Sequence, residues 1–224
     1  MTKKRKKKFN FKKFIIFIII ILFIYILLRV LLNIKTKNIV ILNNNIYSDE
    51  DIIEISNIEN YPKFMLLNKS RIKNKIKKLD LIDDVNIYKK LGFILEIDIK
   101  EKKILYYIRS KDEYMASDYN TYKLDNMIGY PTLINYVPSN IEEAFVNKFK
   151  DIDSNVISLI SEIEYSKTNF DEKRFLLYMN DGNEVYITIS RLDLLNKYIE
   201  IIQKVNNKKG ILYLDSGNYF EIKK

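Results

Sequence analysis

The sequence predicts an α+β protein in which a single N-terminal transmembrane helix precedes two mixed domains of helices and strands. Three observations support this fold class. An unusually apolar run starts at Phe14 and ends at Leu32, which is long enough to cross a bilayer. The segment that follows has the pattern β-α-α-β-β. The last residues, from Lys209 onward, have the pattern of two short strands joined by a turn.

The net positive charge of the chain is confined to its N-terminal segment. The 224 residues carry 38 basic and 29 acidic side chains, which gives a net charge of +9. Nine basic residues and no acidic ones lie within residues 1–32, so the remaining 192 residues are balanced. Eight of the nine precede the apolar run: Lys3, Lys4, Arg5, Lys6, Lys7, Lys8, Lys12 and Lys13. The charge therefore gives no indication of nucleic-acid binding by the rest of the chain.

The composition weighs against an enzyme, because the chain contains neither histidine nor cysteine. Histidine is the usual general base and metal ligand, and cysteine supplies thiolates, so no cofactor and no metal site are expected. One segment has part of a calcium-loop spacing, namely Asp151, Asp153, Asn155 and Glu162 at positions 1, 3, 5 and 12. The loop needs glycine at position 6, where Val156 stands, so calcium binding is disfavoured.

Residues 14–32 are predicted to form an uncleaved transmembrane helix, with Phe14 and Leu32 at its ends. A helix of this length spans about 28 Å, close to the hydrocarbon thickness of about 30 Å. A cleaved signal peptide is the alternative, but its apolar region would be shorter, and no small-residue cleavage site follows Leu32. The positive-inside rule keeps residues 1–13 in the cytoplasm, so the bulk of the chain is expected outside.

Local signals define each element of the first outer segment. Residues 38–45 predict a short strand, and Ser48 is a good N-cap for a helix with an acidic first turn. Two alternating strands meet at Leu91-Gly92. Between the first helix and this strand pair, a second helix has one apolar face and one basic face, and the basic face carries Arg71, Lys73, Lys75, Lys77 and Lys78. We expect this basic face to be solvated, with anionic lipid or wall polymer as the alternative.

The second outer segment contains a strand, a hairpin, a helix and the final strand pair. "VISLISEIEYS" (156–166) predicts a strand, and Asp181-Gly182 is a strong two-residue turn signal between strand-like runs. "RLDLLNKYIEIIQKV" predicts an amphipathic helix. Its expected inward residues are Leu192, Leu195, Ile199 and Ile202.

The order and spacing of these motifs resemble the FtsQ/DivIB family of bacterial cell-division proteins, and its DivIB branch in particular. The similarity covers roughly residues 10 to 222 and includes the I-S-E-I strand, the D-G-N turn and Lys197-Tyr198. The family closes its first outer domain with Glu-Arg, which stands here as Glu101-Lys102. Asn120 stands where the family has a turn glycine, so a positive φ is expected there.

The resemblance implies a POTRA domain over residues 36–108 and a β domain over residues 109–224. It also implies a non-enzymatic scaffold at the division septum. In the family, the last strands of the β domain receive the DivIC/FtsB partner, which is held with FtsL and linked to the septal peptidoglycan synthase. The implied mechanism is the addition of a partner strand to a sheet edge. The candidate contact residues are Gly210, Leu212, Tyr213, Leu214, Gly217, Tyr219 and Phe220.

Other interpretations remain open at this point. The side chains of the last strand pair would, in the simplest case, only complete the core of the domain. A POTRA-bearing membrane protein that handles unfolded or secreted clients would bind extended peptides without sequence preference. A membrane-anchored enzyme acting on wall polymers is disfavoured by the composition.

Overall fold

The computed structural model describes residues 11–125, 127–206 and 208–223. The chain divides into two compact units between Glu101 and Lys102. Both units combine runs of strands with runs of helices, which confirms the predicted α+β class.

The N-terminal helix α1 extends from Phe11 to Asn33, slightly beyond the predicted span at each end. It includes Lys12 and Lys13, and its side chains are exposed along its whole length. Among the described residues, α1 is the one helix that is long and apolar enough to cross a membrane. The remaining residues of the predicted topology signal lie outside the described residues: Lys3, Lys4, Arg5, Lys6, Lys7 and Lys8.

The rest of the first unit is a three-stranded sheet with two helices. Its elements are β1 (Asn38–Leu42), α2 (Asp49–Ser56), α3 (Lys69–Ile76), β2 (Ile82–Lys90) and β3 (Ile94–Glu101), with a 3₁₀ turn (Phe64–Leu66) before α3. The central strand β3 is parallel to β1 and antiparallel to β2. Isoleucines of both helices, including Ile52 and Ile76, share one core with the sheet. This order confirms the predicted β-α-α-β-β pattern.

The predicted helix start at Ser48 is confirmed as a capping box. The Ser48 hydroxyl accepts a hydrogen bond from the backbone N–H of Asp51 at 3.2 Å. The Asp51 carboxylate accepts one in return from the backbone N–H of Ser48 at 3.0 Å. The Ser48 hydroxyl also donates to the Asp51 carboxylate at 2.7 Å. This bond, followed by the one from the backbone N–H of Ser48, lowers the pKa of the Asp51 carboxyl group. Reciprocal capping satisfies two donors that would otherwise be unpaired at the helix end.

The second unit is built on a nine-stranded mixed sheet, whose spatial order is β12-β11-β10-β9-β8-β7-β4-β5-β6. The strands are β4 (Ile104–Ile108), β5 (Glu113–Ala116), β6 (Thr121–Tyr122), β7 (Thr132–Leu133), β8 (Ile160–Tyr165), β9 (Arg174–Met179), β10 (Glu184–Thr188), β11 (Gly210–Tyr213) and β12 (Tyr219–Ile222). The helices are α4 (Ser139–Phe149), α5 (Ser154–Ile157) and α6 (Tyr198–Lys204), and a 3₁₀ helix (Ile189–Lys197) leads into α6. Their apolar side chains form the core with the sheet, where the rings of Phe145 and Phe175 stack at 4.2 Å.

The two units separate earlier than the predicted boundary between residues 108 and 109. The carboxylate of Glu101 accepts hydrogen bonds from backbone N–H groups of residues 45–47 in the first unit. The next side chain, Lys102, pairs with Asp118 at 2.8 Å in the second unit. Strand β4, which the predicted boundary assigned to the POTRA domain, pairs instead with β5 and β7.

Two local predictions were wrong. Ile199 was expected to face the core, but it is exposed and the neighbouring Tyr198 is buried. The cause is the 3₁₀ helix that leads into α6, because about 3.0 residues per turn instead of about 3.6 shift the phase of the apolar face. A positive φ was expected at Asn120, but it occurs at Tyr119, whose φ is 62°.

Candidate partner-binding edge

The C-terminal hairpin forms one end of the nine-stranded sheet. Strand β11 is parallel to β10, and β12 returns antiparallel to β11, with Tyr213 opposite Tyr219 and Gly210 opposite Ile222. The predicted strand-turn-strand pattern is therefore confirmed. Within the described part of the chain no further strand follows β12, which leaves one side of its backbone unpaired.

The register determines which backbone groups of β12 point away from the sheet. The N–H of Lys223 donates to the carbonyl oxygen of Lys209 at 3.0 Å, which makes these two residues a hydrogen-bonded pair. Hydrogen-bonded pairs alternate along an antiparallel ladder, so Glu221 and Tyr219 also bond toward β11. The N–H and C=O groups of the intervening residues, Phe220 and Ile222, therefore face the open edge.

A row of stacked aromatic rings crosses the face of the sheet that the helices do not cover, which we call the open face. Tyr213 stacks on Tyr186 at 5.4 Å and on Tyr219 at 4.5 Å, and the guanidinium of Arg174 lies 3.8 Å from the Tyr186 ring centroid. Both faces of the Tyr213 ring are therefore covered by these neighbours. The stacking therefore supports a structural role for these rings in joining β10, β11 and β12.

The opposite face of the hairpin borders an apolar groove of about 380 Å³. Phe220 forms one wall, and Leu194 and Ile201 of the preceding helical segment form the other. Lys197 and Lys204 also line the groove. Since side chains alternate along β12, Phe220 and Ile222 lie on the groove side, and Tyr219 and Glu221 lie on the open face.

A polar network around the buried side chain of Asn183 attaches the start of β11 to the rest of the unit. The side chain of Asn183 accepts a hydrogen bond from the backbone N–H of Gly210 at 2.8 Å. Its amide nitrogen lies 2.9 Å from a carboxylate oxygen of Asp181 and 3.0 Å from the Tyr198 hydroxyl. The Tyr198 hydroxyl in turn donates to Asp181 at 2.7 Å. Burial, followed by the bond to Asp181, raises the pKa of Tyr198.

An ion pair fixes the turn between β11 and β12. Arg174 Nε lies 2.7 Å from Asp215 Oδ2, and the two side chains are only 16% and 10% exposed. Burial alone would raise the pKa of the Asp215 carboxyl group, but the hydrogen bond from Arg174, the hydrogen bond from the backbone N–H of Ser216 and the charge of Arg174 together lower it. Arg191 adds a bond to Asn218 at 2.5 Å. The turn thereby holds β12 in place against β11.

The seven predicted contact residues fall into three groups. Three are buried and belong to the interior of the unit: Gly210, Leu212 and Leu214. Gly217 lies in the turn, and three others are not fully buried, namely Tyr219 and Phe220 in the edge strand β12 and Tyr213 in the adjacent strand β11. That these residues contact a partner stays a prediction. Ile222, whose backbone faces the open edge, was not predicted, although the alternation of "NYFEI" extends to it.

The residues of the partial calcium spacing have other roles. Asp153 caps α5 by accepting a hydrogen bond from the N–H of Asn155 at 2.8 Å. Glu162 lies in β8 and pairs with Arg109 at 3.3 Å. Within the residues that the structure describes, no group of three or more acidic side chains is arranged to hold a metal ion.

Comparisons with known proteins give a consistent result along the chain. A family model described as "POTRA domain, FtsQ-type" matches residues 34–102. Cell division protein DivIB of Bacillus subtilis (strain 168) is 31% identical over 194 residues, which are 84% of this chain and 74% of that protein. DivIB of Brevibacillus brevis is 26% identical over 196 residues, or 83% of this chain and 74% of that protein.

A solved structure is also similar to part of the chain. It is the major extracytoplasmic domain of the trans isomer of the cell division protein DivIB from Geobacillus stearothermophilus. The sequence identity is 22% and the TM-score is 0.38. The match covers 48% of this chain and 97% of that one.

Proposed function

Because this chain belongs to the DivIB family of cell division proteins, we propose that it acts as a non-enzymatic scaffold of the division complex at the septum. Helix α1 anchors the chain in the membrane as a single-pass protein, with residues 1–13 in the cytoplasm. The part of the first unit that follows α1 and the whole second unit lie outside. The second unit binds a DivIC/FtsB-like protein together with an FtsL-like protein. Through this pair it is connected to the septal peptidoglycan synthase.

The unpaired edge of β12 is the observation that carries this proposal. Two residues, Phe220 and Ile222, direct N–H and C=O groups away from the sheet, and an added strand would pair with both. The adjacent groove would receive alternate side chains of that strand and so provide selectivity. Anchoring of the hairpin by Asn183 and by the Arg174–Asp215 pair supports this role, because a prearranged edge loses little entropy on binding.

Replacement of Ile222 by proline tests strand addition directly. Proline removes the N–H that faces the open edge but no bond between β12 and β11, so the domain is expected to fold. We expect Ile222→Pro to abolish co-purification of the DivIC-like partner with the full chain. Ile222→Ala is the matched control, since it shortens the same side chain and keeps the N–H, and it should retain most of the binding.

Two results would contradict the proposal. Binding of the partner by Ile222→Pro at the wild-type level would exclude pairing along this edge. Equal loss in Ile222→Pro and Ile222→Ala would assign the contact to the side chain instead of the backbone. Circular dichroism of both variants confirms that the comparison is made between folded proteins.

A further inference from the structure

Three segments of the first unit meet where α1 ends. The carbonyl oxygen of Ile34 accepts a hydrogen bond from the N–H of Phe64 at 2.9 Å, and the N–H of Thr36 donates to Pro62 at 3.0 Å. The N–H of Lys37 donates to the carbonyl oxygen of Phe93 at 2.9 Å. Residues 34–37, 61–67 and 88–93 therefore form one continuous surface next to the end of the membrane helix, which we call the proximal surface.

The proximal surface exposes large apolar side chains that the core does not use. Leu91, at the tip of the β2–β3 turn, is 97% exposed, and Leu66 is 63% exposed. Met65 and Tyr61 are about half exposed. The segments that present them are held together: the Lys89 ammonium donates to the carbonyl oxygen of Met65 at 3.3 Å. Apolar side chains on a short turn at this location are suited to the interface of a bilayer.

The charge of this surface is of one sign. The stretches that build it contain no acidic residue, since residues 1–48, 60–79 and 85–95 lack aspartate and glutamate. Its cations are Lys35, Lys37, Lys63, Lys89 and Lys90. Of these, Lys90 pairs with Glu96 at 3.0 Å. Burial, and then the neighbouring charge of Lys69, lower the pKa of Lys89.

A groove extends the proximal surface toward α3. It has a volume of about 420 Å³ and is lined by three cationic side chains, those of Lys63, Arg71 and Lys75, around apolar residues that include Leu66. Among the ion pairs of residues 11–125, 127–206 and 208–223, none involves Lys35, Lys37 or Arg71. Lipid phosphates are ligands of matching charge, and they lie at the depth where α1 leaves the bilayer.

We infer that the proximal surface docks on the outer leaflet, where its cations bind anionic phospholipid headgroups and Leu66 and Leu91 enter the interface. This inference rests on the proposed membrane-spanning role of α1, which brings the surface to the bilayer. Docking restricts the first unit to one orientation relative to the membrane.

Tryptophan fluorescence of the full chain in vesicles tests the inference, because the native chain contains no tryptophan. Leu66→Trp places a single reporter on the proximal surface. Leu42→Trp is the matched control at the other end of β1, about 13 Å from Asn38, the first residue of that strand. In vesicles of phosphatidylcholine with phosphatidylglycerol, we expect brominated lipids to quench Leu66→Trp at least about twofold more than Leu42→Trp. The excess should fall in pure phosphatidylcholine and at high salt.

Charge variants identify the ligand. Lys35→Gln with Arg71→Gln in the Leu66→Trp chain should lower the docked-to-free ratio roughly tenfold. The control pair Lys148→Gln with Lys167→Gln makes the same charge change on exposed residues of the second unit and should leave quenching unchanged.

Four results would overturn the inference. They are equal quenching of the two reporters, quenching that is independent of phosphatidylglycerol, an equal effect of both charge pairs, and a shift of Leu66→Trp emission that requires added teichoic acid. The last result would assign the surface to wall polymer. Extraction with alkaline carbonate is measured in parallel: release of the chain contradicts the membrane-spanning helix itself, whereas retention without excess quenching contradicts only the docking.

Discussion

A Cβ atom on Gly210 would lie 2.1 Å from the carbonyl oxygen of Glu221, so β11 and β12 approach each other here more closely than any side chain allows. The same atom would lie 2.7 Å from Cζ of Phe220, which lines the apolar groove beside the C-terminal hairpin. On its other side, Gly210 is held by its bond to Asn183. This one glycine therefore sets the position of the edge strand relative to the body of the sheet.

Gly210→Ala is expected to detach β12 locally. The added methyl group would clash with the backbone carbonyl of Glu221, which cannot move aside as a side chain can. We expect a loss of about 2 kcal/mol in the free energy that keeps β12 paired, comparable to other overpacked sites. Hydrogen exchange of the full chain measures this as faster exchange at the amides of Tyr219 and Glu221, which bond toward β11. Partner binding should be lost together with the protection.

Gly217→Ala is the control for that substitution. Its Cβ would lie 3.1 Å from Cδ1 of Tyr219, a side chain that can move, so protection and binding should stay near the wild-type level. Unchanged protection of Tyr219 and Glu221 in Gly210→Ala would show that the close approach does not determine the position of β12.

The Arg174–Asp215 pair predicts a pH-dependent difference in stability. The pKa of Asp215 is lower in the folded chain than its ordinary value of 3.8, so its contribution is complete above that pH and is lost as the pH falls below it. Asp215→Asn should therefore lower the free energy of unfolding by about 2 kcal/mol at about pH 7. The difference in the free energy of unfolding between the wild type and Asp215→Asn should become smaller at about pH 2.5. Urea denaturation at both pH values measures this difference. An equal difference at the two pH values would show that the stabilisation does not depend on the ionised Asp215 carboxylate.

The sequence predicted what local signals determine. Ser48 followed by three acids predicted the start of α2, and Leu91-Gly92 predicted the turn between β2 and β3, because caps and tight turns depend on adjacent residues. The D-G-N motif was likewise correct as a turn, and Gly182 has a φ of 87°. Its second role was not predictable, since the bond between Asn183 and Gly210 joins residues 27 positions apart.

Non-local pairing accounts for the remaining differences. The apolar strand 104–108 has the same pattern whichever sheet it joins, and only its pairing with β5 and β7 assigns it to the second unit. Ile199 and Tyr198 exchanged roles because nothing in the local pattern indicates a 3₁₀ segment before α6. The open groups of Phe220 and Ile222 follow from the register with β11, which the sequence of one strand does not contain.

The two faces of β12 predict different effects of truncating adjacent residues. Phe220 lies on the groove side, where an added strand would insert its alternate side chains, whereas Tyr219 stacks on Tyr213 on the open face. Phe220→Ala should weaken binding of the DivIC-like partner at least about tenfold, as is usual for a central aromatic contact. Tyr219→Ala should change the affinity less than about threefold, because the Tyr219 ring stacks on Tyr213 of the same chain and not on the partner. Titration of the full chain with the partner measures both affinities, and a larger effect at Tyr219 would place the contact on the open face of the sheet.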